Sequence, residues 1–442
     1  MTKKLIIIFF LAFLVRLISL NQSLWLDEGT TARVVSQYNF SEIISQFSRY
    51  DFHPPLYYFV MKLWTNVFGY SEIALRFPSI LFSLLAGWFV YLIGKKIKNH
   101  EAGFWAAAFF LFNPLIVYYS QEARMYMMVT FFITVLLYCS IALLLNKKTR
   151  TLTMAVANLS IFLSLYTFYG SIFFIAALFL LLLFQKRFRL LFLLLPGTIL
   201  VLVILTPLLL LQLENAKQTL QVVANWSAVL GTVTMKNLLL IPMKFSTGRI
   251  SFEPKLLFYA ISLLWTIIVF FFVARGSRKY RSLLVLLILP VILGLVFSFF
   301  SPLLQYFRFL YLIPLFSLLL AFGTKDVWQR YLLLGGFLTF SFAYLLIPQF
   351  HREDWKELTR ILSKNSEVYM IPSVSDPLRY YHNDVVVKDI HQLDSDKKTI
   401  VVFPYTVEIY GYDYRSELTK RNFFLKKTST SRGVFFEEWQ RN

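Results

Sequence analysis

The chain has 442 residues, 57% of them hydrophobic and 47 of them phenylalanine, with a mean hydropathy of +0.61. A soluble core of this length could not bury so much apolar surface, so a soluble protein is excluded. The net charge of +20 falls in short Lys/Arg clusters between apolar runs, and no soluble basic domain carries it, which argues against nucleic acid as a partner.

Lys3-Lys4 and an apolar run to Leu20 open the chain in the manner of a signal peptide. Arg16 interrupts the run and no small-x-small site follows, so an uncleaved first span near 5–21 is expected. Leu24-Trp25-Leu26-Asp27-Glu28 comes directly after it. Two adjacent carboxylates beside a membrane are costly unless solvated, paired or bound. They read either as solvated acids capping a helix or as a general base facing a site.

Residues 21–77 form a long loop containing Asp51-Phe52-His53-Pro54-Pro55. The prolines stiffen the backbone ahead of an aromatic-rich helix over 56–68. His53 could donate a hydrogen bond, ligate a metal or cap the turn. Further spans are expected near 78–94, 102–119 and 125–145. Between the last two lies Tyr118-Tyr119-Ser120-Gln121-Glu122-Ala123-Arg124-Met125-Tyr126. Glu122 and Arg124 there either pair with each other or face the same site as Asp27.

The next spans are expected near 152–168, 170–185 and 190–212, the first two being short enough to form one helix broken at Tyr169-Gly170. A second long loop, 212–254, carries Lys244 and Arg249, and its stretch 225–245 suits a helix lying in the membrane interface. Spans near 255–274, 282–300, 306–323 and 331–348 bring the count to eleven. The sole cysteine, Cys139, lies in an apolar run and excludes a disulfide framework or a Cys-based metal site within one chain.

The clusters Lys3-Lys4, Lys95-Lys96-Lys98, Lys147-Lys148-Arg150, Lys186-Arg187-Arg189, Arg275 to Arg281 and Lys325-Arg330 all fall on one side of this layout. The positive-inside rule makes that side the cytoplasm. The N-terminus is then cytoplasmic and the C-terminus extracytoplasmic. After Pro348 the composition turns mixed. Short β-branched runs at 367–371, 385–388 and 399–404 alternate with helical stretches at 354–362 and 415–421, and strands are expected at 423–427 and 433–436. The reading is a membrane module, 1–348, followed by a small extracytoplasmic α/β domain, 349–442.

The order Arg16, Asp27-Glu28, His53-Pro54-Pro55-Leu56 and Ser120 to Tyr126 resembles the bacterial protein-mannosyltransferase-like family, glycosyltransferase family 39, with its aminoarabinose-transferase relatives. Tyr306-Phe307-Arg308-Phe309-Leu310-Tyr311 followed by Pro314 resembles that family's late arginine-bearing span. Arg352-Glu353-Asp354-Trp355-Lys356 resembles the segment opening its outside domain. The region 150–300 matches in hydropathy alone.

The resemblance implies a GT-C glycosyltransferase: an all-α polytopic bundle, multi-pass in a bacterial plasma membrane. It implies a polyprenyl-phosphate-linked sugar as donor. Asp27 would be the catalytic base, Glu28 its support or an acceptor ligand, and His53 part of the acceptor loop. Glu122 and Arg124 would line the site. Protein relatives in eukaryotes continue His-Pro-Pro with Leu-Gly-Lys, whereas Leu56-Tyr57-Tyr58 stands here, which puts a protein acceptor in doubt. An envelope glycan or a lipid are the other acceptors.

The chemistry is displacement of phosphate from an anomeric carbon by an acceptor hydroxyl, with inversion. A carboxylate that takes the hydroxyl proton contributes typically ~10²–10⁴-fold. Cations are needed against the leaving phosphate. Arg16, Lys244, Arg249 and Arg308 are the candidates, with snorkelling as the structural alternative for Arg16 and Arg308. Asp27, Glu28 and Glu122 leave room for a divalent metal, although no spacing demands one. Two rivals stay open. One is a polymerase or ligase using a polyprenyl-diphosphate glycan. The other is a lipid or sugar transporter, whose ionisable groups would sit nearer the bilayer midplane in repeated halves.

Overall fold

A computed structural model describes residues 2–145, 151–223, 225–363, 367–393 and 397–441. All eleven expected stretches are helical in it. Six lie in single helices long and apolar enough to span a membrane: Glu72–Ile97, Tyr126–Leu145, Phe188–Gln221, Lys255–Ser277, Arg281–Ser298 and Tyr306–Gly323. A seventh stretch is a broken helix, His100–Leu111 and Pro114–Ser120, bent by 60°. Asn113 makes the break. Its Oδ1 accepts the Leu115 amide at 2.9 Å, and Pro114 starts the new helix without a donor to lose.

The other expected spans lie in shorter or less apolar helices. Thr2–Leu17 has 16 residues and Thr151–Thr167 has 17, while Tyr169–Phe184 is also short. Val327–Leu346 falls below the same test of length and apolarity. Conversely, Trp226–Thr247, expected as an interfacial stretch, is apolar and long enough to pass it. By length and composition the described residues hold seven spanning helices, or eight with the bent pair. The protein is a multi-pass membrane protein. The cluster Lys147-Lys148-Arg150 lies outside the described residues.

Packing inside the bundle depends on small residues where backbones meet. A Cβ on Gly276 would lie 2.0 Å from the Leu319 carbonyl oxygen, and one on Gly323 would lie 1.9 Å from that of Phe272. Helices Lys255–Ser277 and Ile313–Gly323 thus touch backbone to backbone, as apolar helices do in lipid.

The C-terminal region has its own core, built on Trp355, Tyr369, Val402, Phe403, Leu418 and Phe436. Its sheet contains β1 (Val368–Met370), β2 (Val387–Asp389), β3 (Thr399–Val402), β4 (Phe423–Ser431) and β5 (Val434–Arg441). The order is β2-β1-β3-β5-β4, with β2, β1 and β3 parallel and β5 antiparallel to β3 and β4. This is the small α/β domain expected after the last apolar helix.

The domain docks on the start of helix Glu72–Ile97 and on the short helix Leu26–Gln37. Lys356 Nζ meets Glu72 Oε1 at 2.8 Å, and Arg33 Nε meets Asp376 Oδ1 at 2.8 Å. The Tyr381 hydroxyl accepts the Leu24 amide at 2.8 Å. Lys95 and Lys96 occupy the other end of helix Glu72–Ile97, roughly 35 Å away at 1.5 Å per residue.

Candidate active site

The helix Leu26–Gln37 begins with Asp27 and Glu28 in its first turn, where negative charge is favoured by the helix dipole. Their fates diverge at once, because successive residues on a helix point about 100° apart. Glu28 turns inward, with a side chain only 1% exposed. Arg76 grips it with two bonds, Nε to Oε1 at 2.8 Å and Nη2 to Oε2 at 2.6 Å. The Ala123 amide donates to Glu28 Oε1 at 2.8 Å. Arg76 also donates to the carbonyls of Leu20, Gln22 and Ser23. Glu28 therefore ties three chain segments together and has little capacity left for a substrate.

Asp27 turns outward and is 35% exposed. Its partner is Arg124 Nη2 at 3.6 Å. Arg124 comes from the turn between Ser120 and Tyr126. That turn is pinned to the first helix by Gln121 Nε2, which donates to the carbonyls of Arg16 and Ile18 at 2.8 and 2.6 Å. Arg124 also reaches the Tyr58 hydroxyl at 3.4 Å. Burial lowers its proton affinity, but the carboxylate of Asp27 outweighs that and holds the guanidinium charged.

His53 and Asp51 stand on the Tyr58 side. His53 Nδ1 lies 3.1 Å from Asp51 Oδ1, and the imidazole stacks on Phe168 with centroids 6.3 Å apart. Burial would raise the proton affinity of Asp51, yet His53 and Arg124 together carry it below the usual carboxylate range. Asp51 was not among the expected site residues. Its signal was available: it is the acid two positions before the His-Pro-Pro run.

Glu122 is 4% exposed, and Arg352 Nη2 lies 3.5 Å from its Oε1. Neither carboxylate oxygen has a hydrogen-bond partner. Burial pushes its proton affinity up to about 8, against the pull of Arg249 and with the push of Glu28 and Asp27. Arg249 and Arg352 share one acceptor, the Tyr118 hydroxyl. Arg352 also lies over the Trp25 ring, 3.6 Å from its centroid. In the sequence, Arg352 stands out only as the start of the segment that opens the outside domain. Its neighbour Glu353 sits in the field of Arg249 and Asp27, and burial raises its proton affinity. The Tyr405 hydroxyl donates to Glu353 Oε1 at 3.4 Å. The site is thus closed from one side by the C-terminal domain.

The four expected phosphate cations separate. Arg308 Nη1 is buried and has no hydrogen-bond partner. It lies beyond Tyr126, which is within the field of Arg124, Asp27, Glu122 and Arg308 alike. Arg249 faces Glu122 through Tyr118. Lys244 stands apart, donating to the Ile250 carbonyl at 3.0 Å over the Phe258 ring. Arg16 requires correction. It is fully buried, and its donors go to Ser83 Oγ at 2.9 Å, the Ala12 carbonyl at 2.8 Å and the Leu111 carbonyl at 2.9 Å. Arg16 joins helices and is not available to a phosphate.

The divalent metal considered for Asp27, Glu28 and Glu122 finds no matching geometry. Among the described residues no group of three or more His, Cys, Asp or Glu side chains could hold a metal ion. Arg76, Arg124 and Arg352 occupy the positions beside those acids.

Residues 52–210 match the family described as dolichyl-phosphate-mannose-protein mannosyltransferase. That match takes in His53, Glu122 and Arg124. It reaches into the central region, where hydropathy alone had been informative. Among solved structures, the chain resembles ArnT from Cupriavidus metallidurans in the apo state, with a TM-score of 0.65 and 13% identity over 99% of this chain and 98% of that one. It also resembles ArnT bound to undecaprenyl phosphate, with a TM-score of 0.51, 13% identity and coverage of 98% and 97%. A third likeness is to the oligosaccharyltransferase AglB from Archaeoglobus fulgidus in complex with an inhibitory peptide and a dolichol-phosphate. Its TM-score is 0.54 and its identity 10%, over 98% of this chain and 74% of that one. No curated protein sequence matches the chain. The chain thus shares its fold with these membrane glycosyltransferases, and the family match spans residues 52–210.

Proposed function

We propose that the protein transfers a sugar from a polyprenyl-phosphate donor to an acceptor hydroxyl, with inversion, and that Asp27 is the general base. The observation that carries this reading is the contrast between the adjacent acids. Glu28 is saturated by Arg76 and the Ala123 amide, whereas Asp27 is partly exposed and holds only a long contact to Arg124. A base must be reachable by the proton it removes.

The acceptor oxygen attacks the anomeric carbon as its proton passes to Asp27. The bond from the anomeric carbon to the phosphate oxygen breaks, and the polyprenyl phosphate leaves with the electron pair. Arg308, buried with an unused donor, is the cation we assign to that phosphate. Arg124 holds the Asp27 carboxylate in place through its 3.6 Å contact. Glu28 acts through position, by fixing the first turn of helix Leu26–Gln37. Glu122 lines the site opposite Arg249 and Arg352. No step here is routed through a metal.

Orientation follows from charge. Lys98 lies in the field of Lys279 and Arg330, so these basic clusters gather at one end of the bundle. Glu72, at the opposite end of the same helix, binds the C-terminal domain. With the basic end cytoplasmic, Asp27 and the domain face outward, in a bacterial plasma membrane. The acceptor is an envelope glycan, lipid or protein.

The test is sugar transfer from short-chain polyprenyl-phosphate sugars by purified wild-type protein and Asp27→Asn side by side. Transfer or slow donor hydrolysis that the variant loses supports the assignment. Near-normal turnover by Asp27→Asn removes Asp27 as the base. Turnover of polyprenyl-diphosphate glycans in place of the monophosphates would favour the polymerase reading.

A further inference from the structure

A groove of about 470 Å³ crosses the C-terminal domain between the segment 404–414 and the β4–β5 turn, a size typical of small-molecule sites. Its walls include Tyr405, Thr406, Glu408, Tyr412, Tyr414 and Phe435. The chemistry is apolar, aromatic and aliphatic, with tyrosine and threonine hydroxyls, one acid and no cation, which disfavours a phosphate or a nucleic acid. Thr406 holds a left-handed backbone, φ +64°, and its Oγ1 is buried without a partner. For a β-branched residue that conformation is a genuine outlier.

The groove leads to the candidate active site by two residues. Tyr405 lines it and donates its hydroxyl to Glu353. Gly433 lines it from the β4–β5 turn, and a Cβ there would lie 3.2 Å from Glu353 Cγ. The same turn clamps the segment before it. The Arg432 carbonyl accepts the Asp354 amide at 2.8 Å, and Arg432 Nε donates to the Arg352 carbonyl at 2.7 Å. Glu353 Oε2 is buried and has no hydrogen-bond partner. The carboxylate behind these two lining residues therefore has spare acceptor capacity, within the field of Asp27.

We propose that this groove binds the acceptor as a saccharide, with aromatic faces against sugar rings, and that Glu353 and Tyr405 hold its hydroxyl-bearing end beside Asp27. A saccharide fits because each ring offers an apolar face and a rim of hydroxyls, and tyrosine offers the complement, an apolar ring with a polar tip. The inference rests on the reading of Asp27 as the base. It goes beyond that reading by naming the acceptor class and its path.

The experiment uses the full chain in detergent, with fluorescently labelled trisaccharides of glucose, mannose, galactose and N-acetylglucosamine as probes. At least one should bind, and Tyr412→Ala should weaken it about tenfold while Tyr412→Phe restores it. Glu353→Gln should raise the apparent KM for that saccharide about tenfold. The absence of binding by every trisaccharide, binding indifferent to Tyr412→Ala, or displacement only by a peptide would overturn the proposal. Donor hydrolysis by Asp27→Asn is read in the same preparation. Its persistence would remove the base, while saccharide binding still reports on the groove.

Discussion

Two arginine-rich regions lie on either side of helix Leu26–Gln37, and they are built on opposite principles. On the structural side, Arg16 and Arg76 spend their donors in eight hydrogen bonds to carbonyls, one hydroxyl and the Glu28 carboxylate. Around Asp27, polar atoms are left over. Both oxygens of Glu122, Oε2 of Glu353 and Nη1 of Arg308 lack hydrogen-bond partners. An unpaired buried polar atom carries a desolvation cost. A region that keeps several of them together is organised for something that arrives. Charge near a membrane marks a need, and the state of its hydrogen bonds tells structure from chemistry.

The sharpest way to break the comparison is to remove one charge from each region in turn. Asp27→Asn should cost transfer ~10²–10⁴-fold and leave the unfolding midpoint unchanged. Arg76→Ala should do the reverse in character. Removing one partner of a buried ion pair costs about 3–5 kcal/mol, so it should show as a lowered thermal midpoint and poor recovery from membranes. An Arg76→Ala protein with native stability would dissolve the distinction between the two regions.

Arginines sharpen it further. Arg308→Ala should raise the apparent KM for the donor roughly tenfold to hundredfold, the worth of a charge-assisted bond, while acceptor KM stays put. Arg16→Ala should lower stability and leave donor KM unchanged, measured in the same assay. A smaller effect concerns pH. Glu122 keeps its proton in the folded chain up to about 8, whereas unfolded it loses the proton near the ordinary glutamate value, about 4.3. The unfolded state then binds fewer protons through that window, so Glu122 makes stability fall as pH rises from about 5 to 8. Glu122→Gln should flatten that fall, by about 4 °C in midpoint between pH 5 and 8.

Much of this was legible in the sequence. Apolar runs marked the helices, and β-branched runs marked the strands of the C-terminal sheet. Asp27, His53, Glu122 and Arg124 could be singled out because each stands in a short motif at the end of an apolar run. The rest was hidden for physical reasons. Arg16 and Arg308 look alike in one dimension, each a cation near the end of an apolar stretch. Only the packed bundle distinguishes donors spent on carbonyls from a donor left free. Asp27 and Glu28 are likewise equivalent on paper until the helical turn sends one inward. Arg352, Glu353 and Tyr405 meet Asp27 and Glu122 across more than 200 residues of chain, a separation over which no local pattern reports contact. Helix length and bending were hidden because a broken or short helix holds as many apolar residues as a straight one.

The turn at Arg432-Gly433 holds the segment Arg352 to Asp354 in place. That segment is also the covalent joint between the helical module and the sheet. The joint itself lines the pocket, so the boundary between parts is not a neutral place to cut. A truncation at residue 348 would delete two charged side chains along with the domain. A graft of another protein's domain would succeed only if it brought a matching turn to brace the same three residues. Exchange of acceptor preference between relatives would then require the joint and the turn to move as one cassette.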